Sequence, residues 1–224
     1  MPGRNIPLVT NQIYHVFNRG IASQPVFFGK VDYERARQTI FYYQNLKVPL
    51  RYSFFLRLPS NERDELLQNL RKKKEFIVEI VCFCFIPNHF HILVRQLQDD
   101  GISTFMSNFT NSYTRYLNTK SKRNGPLFQG KFKAVRIETD EQLIHVCRYI
   151  HLNPYTSYVV KTVEELINYP YSSFSEYLNS KEIEACNKDL VLTHFKDSDA
   201  YKKFVFDQAD YQRQLDNIKH LTLE

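Results

Sequence analysis

Apolar and polar residues alternate from Ile13 through Asn18, the period-two pattern of a half-buried strand, and Arg19-Gly20 closes it. Residues 1–12 are mostly polar and are expected to be loosely held. Asp32 is placed to cap a helix running to about Leu46, with Pro49 as its stop. Tyr52–Leu56 fits a strand or a helix, and Pro59 ends it either way. A charged helix then runs from Ser60 toward Lys74, so residues 50–75 read as an insertion. Phe76–Ile86 is a long apolar strand whose only charge is Glu79. Pro87-Asn88 is a turn signal, and His89–Arg95 is the return strand. Gly101 and Ser103 lead into a helix to about Asn118, with Phe105, Met106, Phe109, Tyr113 and Tyr116 at near-helical spacing. A basic loop from Lys120 to Pro126 precedes a strand over Phe128–Ile137. Thr139 caps a last helix, and Asp140 and Glu141 complement its first turn. That helix carries His145, Arg148, Tyr149 and Asn153, and Pro154 is expected to end it.

The resulting order is β-α-(insertion)-β-β-α-β-α. A split β-α-β pattern with a central hairpin predicts an α+β fold, a ferredoxin-like antiparallel sheet with helices packed on one face. After residue 160 the pattern is helical: Val163–Asn168, Ser173–Ser180 and Asp199 to about Leu221. This gives a catalytic-type domain over residues 1–178, with the insertion at about 50–75, and a helical C-terminal extension over 179–224.

Charge changes the picture more than size does. The 224 residues carry a formal net charge of +6, which favours an anionic partner, nucleic acid first. Hydrophobic residues make up 43% and charged residues 24%, which excludes a disordered chain. The 15 tyrosines and 18 phenylalanines include candidates for stacking on unpaired bases, although most are needed in the core. Cys82, Cys84, Cys147 and Cys186 form no CxxC pair, and neither a secretory signal nor a long apolar span is present. The expectation is a reduced, cytoplasmic protein with no membrane association.

The candidate chemistry begins at Phe85-Ile86-Pro87-Asn88-His89-Phe90-His91-Ile92-Leu93-Val94. On a strand, positions i and i+2 share a face, so His89 and His91 project side by side while Phe90 points back into the core. Two imidazoles on one rigid face are half of a metal site; the competing reading is a hydrogen-bonded pair of strand histidines. A zinc site of Cys82, Cys84, His89 and His91 requires an awkward convergence across the tight hairpin. Tyr149 and Asn153 are four apart on a helix and so face the same way. If that face looks toward the histidines, two imidazoles and an amide oxygen suit Mg²⁺ or Mn²⁺, with open positions for phosphate oxygens. The phenol would then be the nucleophile on a scissile phosphate. Spacing alone does not establish this.

Four blocks, in order, resemble the REP-associated tyrosine transposases, which are single-tyrosine HUH, insertion-sequence-like transposases. They are Ile86–Val94, Gly125-Pro126-Leu127-Phe128-Gln129-Gly130-Lys131-Phe132-Lys133, Arg148-Tyr149-Ile150-His151-Leu152-Asn153-Pro154, and Tyr169-Pro170-Tyr171-Ser172-Ser173-Phe174. Tyr14–Gly20 is similar too, and the likeness spans about residues 13–178. The resemblance implies the same ferredoxin-like fold, with the histidine pair on a central strand. It implies His89 and His91 as divalent-metal ligands, Asn153 as the third ligand and Tyr149 as the nucleophile. It also implies cleavage of single-stranded DNA beside hairpin-forming palindromes. The tyrosine would be joined to the 5′ phosphate, a 3′ hydroxyl would be left, and rejoining would need no ATP. Relatives in the wider superfamily work as dimers and REP-associated members as monomers, so either state is expected.

DNA-contact candidates follow from position. Lys131 and Lys133 share a strand face, and Arg136 falls on the other. They would hold the DNA backbone or guard a sheet edge. Lys122 and Arg123, beside Lys120, would grip phosphates or solubilise their loop. Arg95, directly after the histidine strand, is the better phosphate contact. His145 shares the face of Tyr149. Tyr113 and Tyr116 are rival nucleophiles, although neither has a ligand residue four positions later. Three alternatives to a strand transferase are a catalytically silent hairpin-DNA binder, a replication nickase of HUH type, and an RNA-binding sheet domain.

Overall fold

The computed structural model describes residues 7–178 and 186–222, with side chains described as far as residue 215. Strand β1 is Ile13–Arg19. It is followed by helices α1 (Lys30–Tyr43), α2 (Tyr52–Phe55) and α3 (Ser60–Lys73). Strands β2 (Val78–Ile86) and β3 (His89–Gln96) form the hairpin, and α4 (Gly101–Lys120), β4 (Lys133–Ile137) and α5 (Asp140–Thr156) follow. The chain then continues through α6 (Phe174–Leu178), α7 (Asp189–Leu192), α8 (Ser198–Phe206) and α9 (Ala209–Thr222). The sheet order is β2-β3-β1-β4 with every pairing antiparallel, the ferredoxin-like arrangement expected from the element order.

Helices cover both faces of this sheet, not one. Tyr14, Val16, Phe83, Phe85, Phe90, Ile92 and Val94 pack with α1 and α4 in one core. Cys82, Cys84, Ile86, Leu93 and Ile137 pack with α5, α6 and α8 in a second. The reason lies in β2 and β3, which are buried at nearly every position. A strand apolar on both faces needs cover on both. The register shift between Ile80 and Cys82 lets Ile80 enter the first core and Cys82 the second. The helices after residue 186 share that second core, because Val191, Tyr201 and Val205 are fully buried within it. The boundary expected at 178/179, and the end of the helix expected over Ser173–Ser180, fall at residues 179–185, outside the described ones.

Other local expectations change. Asp32 is not the cap of α1; Gly29 is. Asp32 lies one turn inside, fully buried, and accepts hydrogen bonds from Tyr116 Oη (2.7 Å), Lys120 Nζ (2.5 Å) and the Phe28 N–H (3.2 Å). Burial alone would push its carboxyl up, but these donors hold it below the usual value. Pro154 does not end α5, which runs to Thr156. The last turn closes without a Pro154 N–H, because Ser157 N donates to Asn153 O and Val159 N to Pro154 O. Strand β4 begins at Lys133 and not at Phe128, since Gly130 takes a left-handed φ of 58° in the turn before it.

His151 joins three elements beneath the site. Its Nδ1 lies 2.7 Å from Tyr201 Oη and its Nε2 2.9 Å from Ser173 Oγ, in full burial. Ser173 Oγ in turn accepts from the Phe83 N–H of β2. His151→Ala removes both bonds and opens a cavity, so the unfolding free energy in urea is expected to fall by about 3 kcal/mol.

Candidate active site

The site is built where β1 lies against β3. Phe17 is the cross-strand partner of His91 and Arg19 of His89. Cross-strand partners share a face, so His15, Phe17 and Arg19 lie on the same face as His89 and His91. This is the face that α5 covers. His89 and His91 are 9% and 5% exposed, with ring centroids 4.9 Å apart. The Tyr149 ring meets the His91 ring edge-on at 5.4 Å and the His15 ring at 6.1 Å. Asn153, one turn after Tyr149, is 2% exposed, and its carboxamide interacts with His89. The structure thus brings together all four residues that the sequence singled out on separate elements.

Each ring is held from behind. His89 Nδ1 lies 2.7 Å from Asn88 Oδ1, in the hairpin turn itself. His91 Nδ1 lies 2.8 Å from His15 Nε2, and Phe17 stacks on His91 at 5.6 Å. Gly20 is required just beyond β1, because a Cβ there would collide with Gln24 O. Its N–H donates to Asn88 O at 2.8 Å, which ties the end of β1 to the hairpin.

Burial is the main reason that both imidazoles resist protonation. It lowers His89 to about 3, with the Arg19 charge adding to it and Asn153 opposing it. It lowers His91 well below the usual value, with His15, His89 and Arg19 adding to it. His15 is drawn to about 4 by burial. Neutral imidazoles are the form that ligates metal. On this face, His91 Nε2 and Asn153 Oδ1 are buried and have no hydrogen-bond partner among the described residues. An unpaired buried acceptor costs stability unless something fills it. Nitrogen, nitrogen and amide oxygen donors suit a divalent ion such as Mg²⁺ or Mn²⁺, so the residues present fit that group.

The same shifts fix the acid stability. An unfolded histidine titrates near 6.5, whereas His15 and His89 stay neutral to about 4 and about 3. Below pH 6.5 the unfolded chain therefore binds more protons, and stability falls as pH falls. With a chelator present, the unfolding free energy measured in urea is expected to fall from pH 6.5 toward pH 4.5, by about 1 kcal/mol per pH unit for each ring. A flat profile would show that the rings are solvated.

The basic candidates separate. Lys133 is paired with Phe17 and so lies exposed on the site's face. By strand spacing its Cα is about 10 Å from that of His91. Lys131 lies outside β4, exposed in the turn that meets β1, where Asn18 Nδ2 donates to Gly130 O. Arg136 is on the opposite face and donates to Gln12 Oε1. Arg95 is at the far end of β3 from His89 and is paired with Glu79 at 2.7 Å. Lys122 and Arg123 follow α4; Lys122 is exposed, and Arg123 donates to Pro126 O. His145 is exposed and lies 2.8 Å from Arg148. The residues missed from sequence are His15 and Arg19. The signal was available: period two within Tyr14–Gly20 puts both on the face of Phe17.

The zinc combination of Cys82, Cys84, His89 and His91 does not form. Among the described residues, the Cys and His ligand atoms that converge, within 4.8 Å of one another, belong to Cys82, Cys147 and His151. Both ring nitrogens of His151 are already hydrogen-bonded there.

Residues 9–153 match the family described as IS200-like transposases. A protein of Haemophilus influenzae, named provisionally as a REP-associated tyrosine transposase, is 28% identical over 106 residues. The aligned region is 43% of this chain and 58% of that protein's length. The fold is similar to that of a REP-associated tyrosine transposase solved with a bound REP hairpin. The TM-score is 0.55 at 14% identity, covering 84% of this chain and 98% of the other. Among the described residues, no helix is long and apolar enough to cross a membrane.

Proposed function

The chain belongs to the IS200-like transposase family, and from that premise we propose that it is a divalent-metal-dependent DNA strand transferase. It cuts single-stranded DNA beside hairpin-forming palindromes through a 5′-phosphotyrosine intermediate on Tyr149. The observation that carries this reading is the convergence of Tyr149, His89, His91 and Asn153 at one sheet face, with His91 Nε2 and Asn153 Oδ1 buried and lacking hydrogen-bond partners among the described residues.

His89, His91 and Asn153 would hold the ion, Mg²⁺ or Mn²⁺, which would supply Lewis-acid polarisation of the scissile phosphate. Tyr149 Oη forms the bond to phosphorus while the P–O3′ bond breaks. The phenolic proton ends on the departing O3′. The linkage keeps the ester energy, so attack by another strand's 3′ hydroxyl reverses the step without ATP. Arg19 stands beside the histidine pair, and Lys133 and Lys131 extend positive charge from it. Together they form the DNA track, with Lys122 and Arg123 at its margin. Arg95 and Arg136 stand apart from that track. The hairpin-bound structural relative supports hairpin DNA as the partner.

The test is direct. Single-stranded hairpin oligonucleotides labelled at the 3′ end are incubated with the protein and Mg²⁺ or Mn²⁺. A labelled protein–DNA adduct that survives denaturing electrophoresis is expected, and a chelator abolishes it. A gel shift without cleavage under either ion would favour the silent hairpin binder.

A further inference from the structure

We propose that His15 is a positioning residue that fixes the tautomer of His91 and aims its Nε2 at the metal position. The inference rests on the reading that His89, His91 and Asn153 hold a divalent ion. His91 has one ring nitrogen engaged and one free. Nδ1 is 2.8 Å from His15 Nε2, while Nε2 is buried with no hydrogen-bond partner among the described residues. A ligating nitrogen must present a lone pair, so the His91 proton belongs on Nδ1. That N–H then donates to His15 Nε2, which leaves the His15 proton on its own Nδ1. The reverse arrangement, with His15 donating, would place a proton on His91 Nε2 and block it as a ligand.

Packing enforces the choice. His15 is diagonal to His91 across the β1–β3 pairing, and their rings stack with centroids 5.0 Å apart. Phe17 packs against both rings, at 4.9 Å from His15 and 5.6 Å from His91. The His91 ring is therefore held between two aromatic neighbours from β1 and the Tyr149 edge from α5. Only a hydrogen bond can then set which nitrogen faces forward. His89 is handled differently, since its Nδ1 partner is Asn88 Oδ1, a pure acceptor. An acceptor behind each ring favours the proton on Nδ1 and a lone pair on Nε2, the form in which either ring could ligate.

The test measures Mn²⁺ binding to the whole metal-free protein without DNA, by loss of the free-ion electron paramagnetic resonance signal. His15→Phe keeps ring volume and removes the acceptor. Its Kd for Mn²⁺ is expected to rise about 10- to 100-fold. His15→Gln puts an acceptor near the Nε2 position and is expected to recover most of that loss. If His15→Phe binds Mn²⁺ as the wild type does, the proposal fails. Should His15→Phe not fold, long-range ¹H–¹⁵N correlation on the wild type decides. His91 protonated on Nδ1 supports the assignment, and a proton on Nε2 overturns it. Failure of the metal reading is told apart by His91→Ala: unchanged Mn²⁺ binding in that variant would remove the site itself.

Discussion

Tyr149→Phe is expected to abolish the covalent protein–DNA adduct, a loss of at least about 10³-fold in cleavage, because it removes the hydroxyl proposed as the nucleophile. The substitution keeps the ring, and with it the edge contacts to His91 and His15. Folding, Mn²⁺ binding and the hairpin gel shift should all remain. The other tyrosines considered for this role cannot substitute. Tyr113 is fully buried with its hydroxyl bonded to Val26 O, and Tyr116 donates to Asp32. Both belong to α4, on the opposite face of the sheet from the histidine pair. An undiminished adduct in Tyr149→Phe would assign the chemistry elsewhere.

His91→Ala is expected to remove Mn²⁺ binding and, with it, cleavage. Loss of Lewis-acid stabilisation worth about 4 kcal/mol corresponds to a rate lower by about 10³-fold. His91 is also packed between Phe17 and Tyr149, so the variant leaves a void. Circular dichroism and a hairpin gel shift therefore accompany the rate measurement. His89→Ala, at the less enclosed end of the pair, serves as the second variant and should lose the same two properties. Residual adduct at wild-type rate in the presence of a chelator would exclude metal assistance for either ring.

Much of this site was legible before any tertiary structure. Period two within β3 put His89 and His91 on one face and Phe90 on the other, and Phe90 does enter the opposite core. Helical period put Tyr149 and Asn153 together one turn apart. Those rules hold because side-chain direction within one element is fixed by backbone geometry alone. The same rules misjudged Asp32, Pro154 and Lys131. Whether Asp32 caps or is buried depends on Tyr116 and Lys120, which arrive from a helix more than 80 residues away in sequence. Lys131 lost its strand partner because the Gly130 turn intervenes.

The chain's residues by themselves determined the element order, the histidine face and the tyrosine–asparagine face, each a property of a single continuous segment. Only the folded chain decided that β1 would sit between β3 and β4, bringing His15 and Arg19 beside the histidine pair. It likewise decided that α5 would cover this face rather than join α1 and α4, and that Glu79 would claim Arg95. The physical reason is that neighbours from distant segments are chosen by how both faces of β2 and β3 can be buried at once. That is a condition on the whole molecule, and no local repeat encodes it.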